Sequence, residues 1–298
     1  MKDYAKLLAS KPLFDQYVAR RTYQLSTFHF SSLLAWSDFF DFTFEVIDDN
    51  LCVFARHAPG NFLYLPPLGG EVTLPVAEQC LSRMSHSSRG VARIENLEEA
   101  MCGLFAFKPF DIKKKADEYV YRKANITALA GGAYKAQRHD INRLMQHHKP
   151  VYGPYIHEQH FSACLDLYER WAQNRKAHCD DPIYQAMIDD NRLAHERILQ
   201  YHDGLGVIGR VLTIDSQVVA YSFGYPLNCD TFCVLLEVTD LSKTGLAALM
   251  FKRFCADDVW ANYTFVNAMD DFGMPQVAQT KQAYHPVVLI PSYTLYPR

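Results

Sequence analysis

The chain has 298 residues, 49% of them hydrophobic and 21% charged, with a formal net charge of −3. That balance excludes a disordered chain, and the length suffices for two domains of ordinary size or one large one. No apolar run approaches the roughly 18 residues that span a bilayer, and the opening M-K-D-Y-A-K-L-L-A-S-K-P is too short in apolar residues for a secretory signal, so the expected location is the cytoplasm.

In chain order, residues 3–21 read as a helix with Leu7, Leu8, Phe14, Tyr17 and Val18 on its apolar side. The aromatic-rich stretch 27–41 reads as a short buried helix carrying Leu33, Leu34 and Trp36. Residues 42–47 and 51–56 read as strands around Asp48-Asp49-Asn50, a hairpin turn. A third strand, 62–65, is closed by Pro66-Pro67; a helix at 74–85, a strand at 90–94 and a short helix at 97–104 follow. Strands alternating with helices predict a small α/β unit.

Lys113-Lys114-Lys115 opens the crossing to a second unit, with a short strand at 119–122 and a helix at 124–130 that breaks at Gly131-Gly132. The next helix, 133–148, places Tyr134, Arg138, Ile141 and Met145 on one stripe. An arginine on an apolar face must be paired or face a ligand. Between residues 108 and 149 stand ten Lys/Arg against four acids, a local +6 that leaves −9 for the rest of the −3 chain. Such a band, with Lys135, Arg138 and Arg143 as its candidate binding residues, is a surface for a polyanion such as tRNA, CoA phosphates or anionic lipid; the alternative is a solvated basic face.

Residues 157–175 form an amphipathic helix with Phe161, Cys164, Leu165, Tyr168 and Trp171 inward. His157 and His160 share its first turn without a third ligand in sight, and Cys229 and Cys233 are poorly spaced for zinc, so no metal is expected. Asp181-Pro182 caps the next helix, which runs to about residue 201. Three strands follow, at 206–214, 217–225 and 231–239. The third alternates, with Phe232, Val234, Leu236 and Val238 on one face and Cys233, Leu235, Glu237 and Thr239 on the other. Glu237 is an acid among apolar neighbours: either it meets a Lys or Arg, or burial raises its pKa towards neutrality. A helix at 244–259 opens on Gly245, and strands at 263–266 and 287–290 close the chain. Between those strands lie Asn267, Asp270, Asp271, Gly273 and a helix opened by Pro275, which carries Lys281 and leads to Tyr284. So many polar groups at one strand–helix junction need partners, each other or a ligand.

That last stretch resembles a bacterial family typified by the C-terminal domain of phosphatidylglycerol lysyltransferases. The family closes its fold with Asn-Arg-Glu-x-Asp-x-Gly, a helix carrying Leu-Arg-x-x-Lys, and Tyr-His-Pro. Asn267, Asp271, Gly273, Lys281, Tyr284, His285 and Pro286 match it, whereas Ala268, Met269 and Ala278 replace its Arg, Glu and helix Arg. Pro66, Pro67, Leu68 and Gly69 match a turn in its first half. The resemblance implies an α/β (α+β) chain of two GNAT-like domains, each a mixed, mostly antiparallel sheet flanked by helices. Residues 1–112 would form a degenerate domain and 113–298 the one with the site. Gly245 and Ala247 fall in the slot of the GNAT pyrophosphate motif, although Ser242 does not fit it.

The activity so implied moves an aminoacyl group from an aminoacyl-tRNA-type donor to an amine or hydroxyl of a small-molecule or peptide acceptor. It needs a base and donors for the oxyanion. Glu237 is the expected base, Lys281 and Asn267 the oxyanion donors, and Tyr284 the acid for the leaving group. Asp270 and Asp271 either bind the donor's amino group or cap the following helix. An acyl-CoA-dependent N-acyltransferase is the alternative enzyme, and a non-catalytic binding module, favoured by Ala268, Met269 and Ala278, is the third reading.

Overall fold

The structure is a computed structural model and describes residues 4–57, 60–71, 73–87, 92–105 and 110–298. Asp3, Gly90 and Lys108, expected in a helix, a strand and the basic band, lie outside them. The opening helical stretch is two helices, α1 (Tyr4–Ala9) and α2 (Lys11–Val18), because Pro12 occupies the first turn of the second, where its missing N–H costs no bond. After the buried α3 (Phe30–Ala35), β1 (Asp41–Ile47) and β2 (Asn50–His57) pair as a hairpin. Asp48 and Asp49 both take positive φ, the two-residue turn whose twist suits flanking strands. Then come β3 (Gly60–Leu63), α4 (Leu74–Ser87), β4 (Ile94–Glu98) and α5 (Glu99–Cys102).

The long strand β5 (Phe110–Arg122) contains the whole Lys113–Lys115 run as well as the short strand expected at 119–122. It leads into α6 (Lys123–Ala128), α7 (Lys135–His147), β6 (Val151–Pro154), α8 (His157–Ala177) and α9 (Pro182–Leu205). Asp181 caps α9 by accepting the Ile183 N–H, and Gly206 closes it at φ +71°. The chain ends with β7 (Ile208–Ile214), β8 (Gln217–Pro226), β9 (Thr231–Thr239), α10 (Leu246–Cys255), β10 (Phe265–Asn267), α11 (Pro275–Gln282) and β11 (Val288–Pro297). The helix expected at 97–104 begins two residues late, because Leu97 and Glu98 pair with Tyr293 and Ser292 of β11. On α7 the stripe turns: Leu144 is buried and Met145 is 44% exposed. On α8 the buried line is Cys164, Leu167, Tyr168 and Ala172, with Phe161, Leu165 and Trp171 half-covered beside it.

The chain divides into two compact units. The first comprises residues 1–119, 269–278 and 289–298. Its strands run β1-β2-β3-β4-β11-β5, and of the pairs with a defined register only β3–β4 is parallel. Its core holds Phe14, Phe30, Leu33, Leu34, Val53 and Leu63, with Ala77, Cys80 and Met84 of α4. The second comprises residues 120–268 and 279–288. Its strands run β5-β10-β9-β8-β7-β6, parallel only at β9–β10. The α10 helix packs on β8 and β9 and against α6 and α7, while α8 packs on β8 and β9 and against α9. The architecture is therefore the expected one, a mixed, mostly antiparallel sheet flanked by helices. Among the described residues no helix is long and apolar enough to cross a membrane.

Candidate functional site

The geometry around Glu237 starts from an irregularity. Phe223 of β8 pairs with Leu236 of β9, but Gly224 pairs with Val234, so Leu235 is an extra, unpaired residue: a β-bulge. The bulge breaks the simple alternation expected for β9. Cross-strand partners share a face, so Glu237 stands with Val234 and Phe232, opposite Ser222, Gly224 and Pro226, while Leu236 and Val238 go with Cys233. The Glu237 face is the one α10 covers. At Gly224 a Cβ would come within 3.0 Å of the Phe254 ring, so glycine here lets that helix lie close.

Glu237 is half-buried, and its Oε2 is buried without a hydrogen-bond partner. No Lys, Arg or His among the described residues forms an ion pair with it. Burial alone therefore acts, and it pushes the carboxyl up to about 8. An ammonium beside it would have done the reverse. Glu118 in the first unit shows how the chain treats another buried carboxylate: it accepts the Ser26 N–H at 2.9 Å and the Ser26 hydroxyl at 2.6 Å. Ser222, directly across from Glu237, is fully buried and its Oγ also lacks a partner. Buried polar atoms without partners are rare enough that each asks for an explanation.

Tyr284 and Cys255 complete the surroundings. Burial, and then the neighbouring Glu237, raise both the Tyr284 phenol and the Cys255 thiol above their ordinary values, so both keep their protons. The Tyr284 ring meets Phe251 edge-on at 5.2 Å and Tyr121 at 6.4 Å, and the Tyr134 hydroxyl holds its backbone carbonyl at 3.1 Å. An acid, a phenol and a thiol thus share an otherwise apolar setting.

The other expected site residues fall elsewhere. Asn267 ends β10, fully buried, and pairs with Cys233 on the parallel strand β9. Glu237 lies four residues further along β9, roughly 13 Å of strand away. Lys281 donates to the Ala268 carbonyl at 2.5 Å, beside Asn267, while Tyr121 donates to the Lys281 carbonyl at 3.0 Å. Asp270 and Asp271 belong to the first unit. There Asp270 accepts the Phe272 N–H at 3.1 Å; Asp271 accepts the Gly273 N–H at 2.9 Å and the Tyr119 hydroxyl at 2.6 Å. These are turn-capping contacts. The aspartates thus cap their own turn, and Lys281 reaches the carbonyl that follows β10.

Arg138 is half-buried, and among the described residues it forms no ion pair. Its guanidinium donates to the carbonyls of Leu129 and Gly131, just past the C-terminus of α6. Much of the basic band is likewise occupied: Lys114 pairs with Asp117 at 2.7 Å, Lys115 with Glu95 at 2.6 Å, and Lys123 donates to the Trp260 carbonyl at 2.5 Å. Lys135 and Arg143 remain exposed on α7 without a partner among the described residues.

Gly245 caps the N-terminus of α10 at φ +97°, and a Cβ there would stand 2.4 Å from the Asp140 carbonyl. Ala247 is exposed one turn-quarter inside the helix. Just before it in the chain, Asp240 accepts Ser242 N–H and O–H at 3.0 and 2.7 Å and Lys243 at 2.7 Å. Sequence reasoning missed Ser222, whose one signal is a hydroxyl inside the apolar run V-V-A-Y-S-F-G-Y, and Cys255, which carries no signal at all.

Residues 20–296 match the family Phosphatidylglycerol lysyltransferase, C-terminal. The chain belongs to this family. Among solved structures, a conserved protein of unknown function from Bacteroides thetaiotaomicron superposes with a TM-score of 0.86 at 22% identity, covering 98% of this chain and 97% of that one. L-PGS from Bacillus licheniformis gives 0.66 at 14% identity over 99% of this chain and 91% of that one. A tandem GNAT protein from the clavulanic acid biosynthesis pathway gives 0.50 at 9% identity over 97% and 94%. These likenesses show the fold, which is GNAT-like. No curated protein sequence matches this chain significantly. Membership of the phosphatidylglycerol lysyltransferase C-terminal family, on a GNAT-like fold, supports an acyltransferase-type function.

Proposed function

We propose that the chain is an aminoacyl transferase, organised as tandem GNAT-like domains, that moves an aminoacyl group from an aminoacyl-tRNA-type donor to an amine or hydroxyl acceptor, with Glu237 as general base. One observation carries this reading. A carboxyl held near neutrality by burial, with no cation to neutralise it, faces a protonated phenol in a lined, largely apolar setting. The acceptor's nitrogen or oxygen attacks the ester carbonyl carbon and its proton passes to Glu237. The C–O bond to the donor's ribose breaks as Tyr284 gives its proton to the leaving oxygen, and Glu237 returns a proton to the phenolate. Lys135 and Arg143 stand available for the donor's phosphates. A tRNA donor would place the reaction in the cytoplasm.

An acyl-CoA donor is the second reading, resting on Gly245 and the exposed Ala247 at the start of α10. Against it, Asp240 holds Ser242 and Lys243, so the cation nearest in sequence to that helix end is already paired. The test is transfer of label from a panel of aminoacyl-tRNAs and, separately, from acyl-CoAs, by the wild-type chain and Glu237→Gln. The expected result is transfer from aminoacyl-tRNA that falls about 10²–10⁴-fold in the variant. Transfer from acyl-CoA alone would replace the donor. Absence of transfer from either would leave the binding-module reading.

A further inference from the structure

Ser222 has no part in the reading above, yet it sits where a substrate group must be recognised. It lies directly across from Glu237 on the neighbouring strand, on the same face, next to the bulge. Side chains so paired have Cβ atoms about 4.5–5.5 Å apart. Both carry a buried oxygen that bonds to nothing: Oγ of Ser222 and Oε2 of Glu237. Glu237 is half-buried as a residue, although its Oε2 is itself covered, and Ser222 is fully buried.

The chemistry of the bridging group follows from what the two oxygens lack. Each can accept a hydrogen bond, and among the described residues no positive charge stands beside the carboxyl. A primary amine offers up to three N–H donors and, as an ammonium, the missing charge. An alcohol can bridge the two as well, accepting from Ser222 and donating to Glu237, but it brings no charge to the ionised carboxylate.

We propose that Ser222 and Glu237 form an amine-recognition subsite, in which the Ser222 hydroxyl and the Glu237 carboxylate together hold the primary amine of the acceptor. This deepens, and rests on, the transferase reading: it makes the acceptor an amine rather than a hydroxyl compound. Ser222 acts by positioning. It fixes the nitrogen against Glu237, whose carboxylate takes one proton from the ammonium and so frees the lone pair that attacks. Binding is proton-linked, because an ammonium entering beside a neutral Glu237 releases the carboxyl proton to solvent.

The test reads binding apart from transfer. The protein, labelled with 13C at the glutamate carboxyl carbons, is titrated with pH by NMR alone, with n-butylamine, and with n-butanol. The amine is expected to lower the Glu237 titration midpoint by at least one pH unit, corresponding to a tenfold preference for the ionised form, and the alcohol to leave it in place. Ser222→Ala is expected to weaken the amine effect at least tenfold while Glu237 itself still titrates high. Ser222→Cys, close in volume and a poor acceptor, gives the same reading should the alanine variant fail to fold. An amine that leaves Glu237 unmoved overturns the subsite. So does an amine effect undiminished in both Ser222 variants, which would mark the oxygens as places for a structural water. Aminoacyl transfer by the same proteins is measured separately. Amine binding without transfer would remove the transferase reading and keep the subsite; transfer without an amine-dependent shift would do the opposite.

Discussion

Glu237 ties stability to pH in a definite direction. Its folded-state value of about 8 lies above its ordinary 4.5, so folding favours the protonated form. The stability this contributes is fully present below about pH 4.5 and is lost as pH rises through about 8, a change of up to about 5 kcal/mol at one pKa unit per 1.36 kcal/mol. Denaturant melts at pH 5, 7 and 9 should show the wild type weakening across this window and Glu237→Gln weakening less. Parallel curves for the two proteins would mean the carboxyl is not held high. The same group predicts a transfer rate that climbs with pH and levels above about 8, since a base works only when ionised. Arg138 belongs at this scale too, as a cap: Arg138→Ala should cost about 1–2 kcal/mol of stability through the lost carbonyl contacts. Polyanion binding should stay as it was, whereas Lys135→Ala with Arg143→Ala should weaken it and flatten its dependence on salt.

Elements were more legible than side chains. The β1–β2 hairpin, the Asp181 cap of α9 and the strands β7 to β9 follow from local chemistry: a two-residue turn, an N-cap with proline behind it, and β-branched runs. Glu237 was recognisable because an acid inside an apolar strand is conspicuous. Its face was not, since the bulge at Leu235 arises from pairing with β8 and leaves no local mark. Ser222 went unseen for the same reason: it matters only through its register with Glu237. In the stretch 267–284 the sequence shows which residues are polar but not what they meet: Asp271 accepts from Tyr119, far away in the chain, and Lys281 donates to the Ala268 carbonyl. Gly245 shows how one residue can serve two readings. Its glycine is required by φ +97° and by the Asp140 carbonyl, whatever ligand α10 meets. Gly245→Ala should therefore destabilise by about 1–3 kcal/mol, visible as a lower denaturation midpoint with unchanged slope.

At the scale of the whole molecule the chain does not fold in the order it is written. The first unit takes residues 1–119 and then waits for 269–278 and 289–298, so its β4 has no antiparallel partner until β11 arrives at the C-terminus. A fragment of residues 1–119 should accordingly fail to fold, giving no cooperative melt and rapid proteolysis, and deletion of residues 289–298 should leave the first unit equally open to protease. A protected 1–119 fragment would show that β11 is dispensable to it. The expected cut at 112/113 lies within β5, as does the boundary between residues 119 and 120.

The extra residue at Leu235 makes the position of Glu237 a matter of odd and even. A strand has only two sides, and one inserted residue is a switch between them. Removing Leu235 would give β9 a perfectly regular count, and one half of it would have to turn over. Either Glu237 would swing to the side where Tyr221 meets His195, or Phe232 would leave its stack on Trp260. The chain thus encodes the address of this buried acid not in the acid but in a leucine two residues earlier.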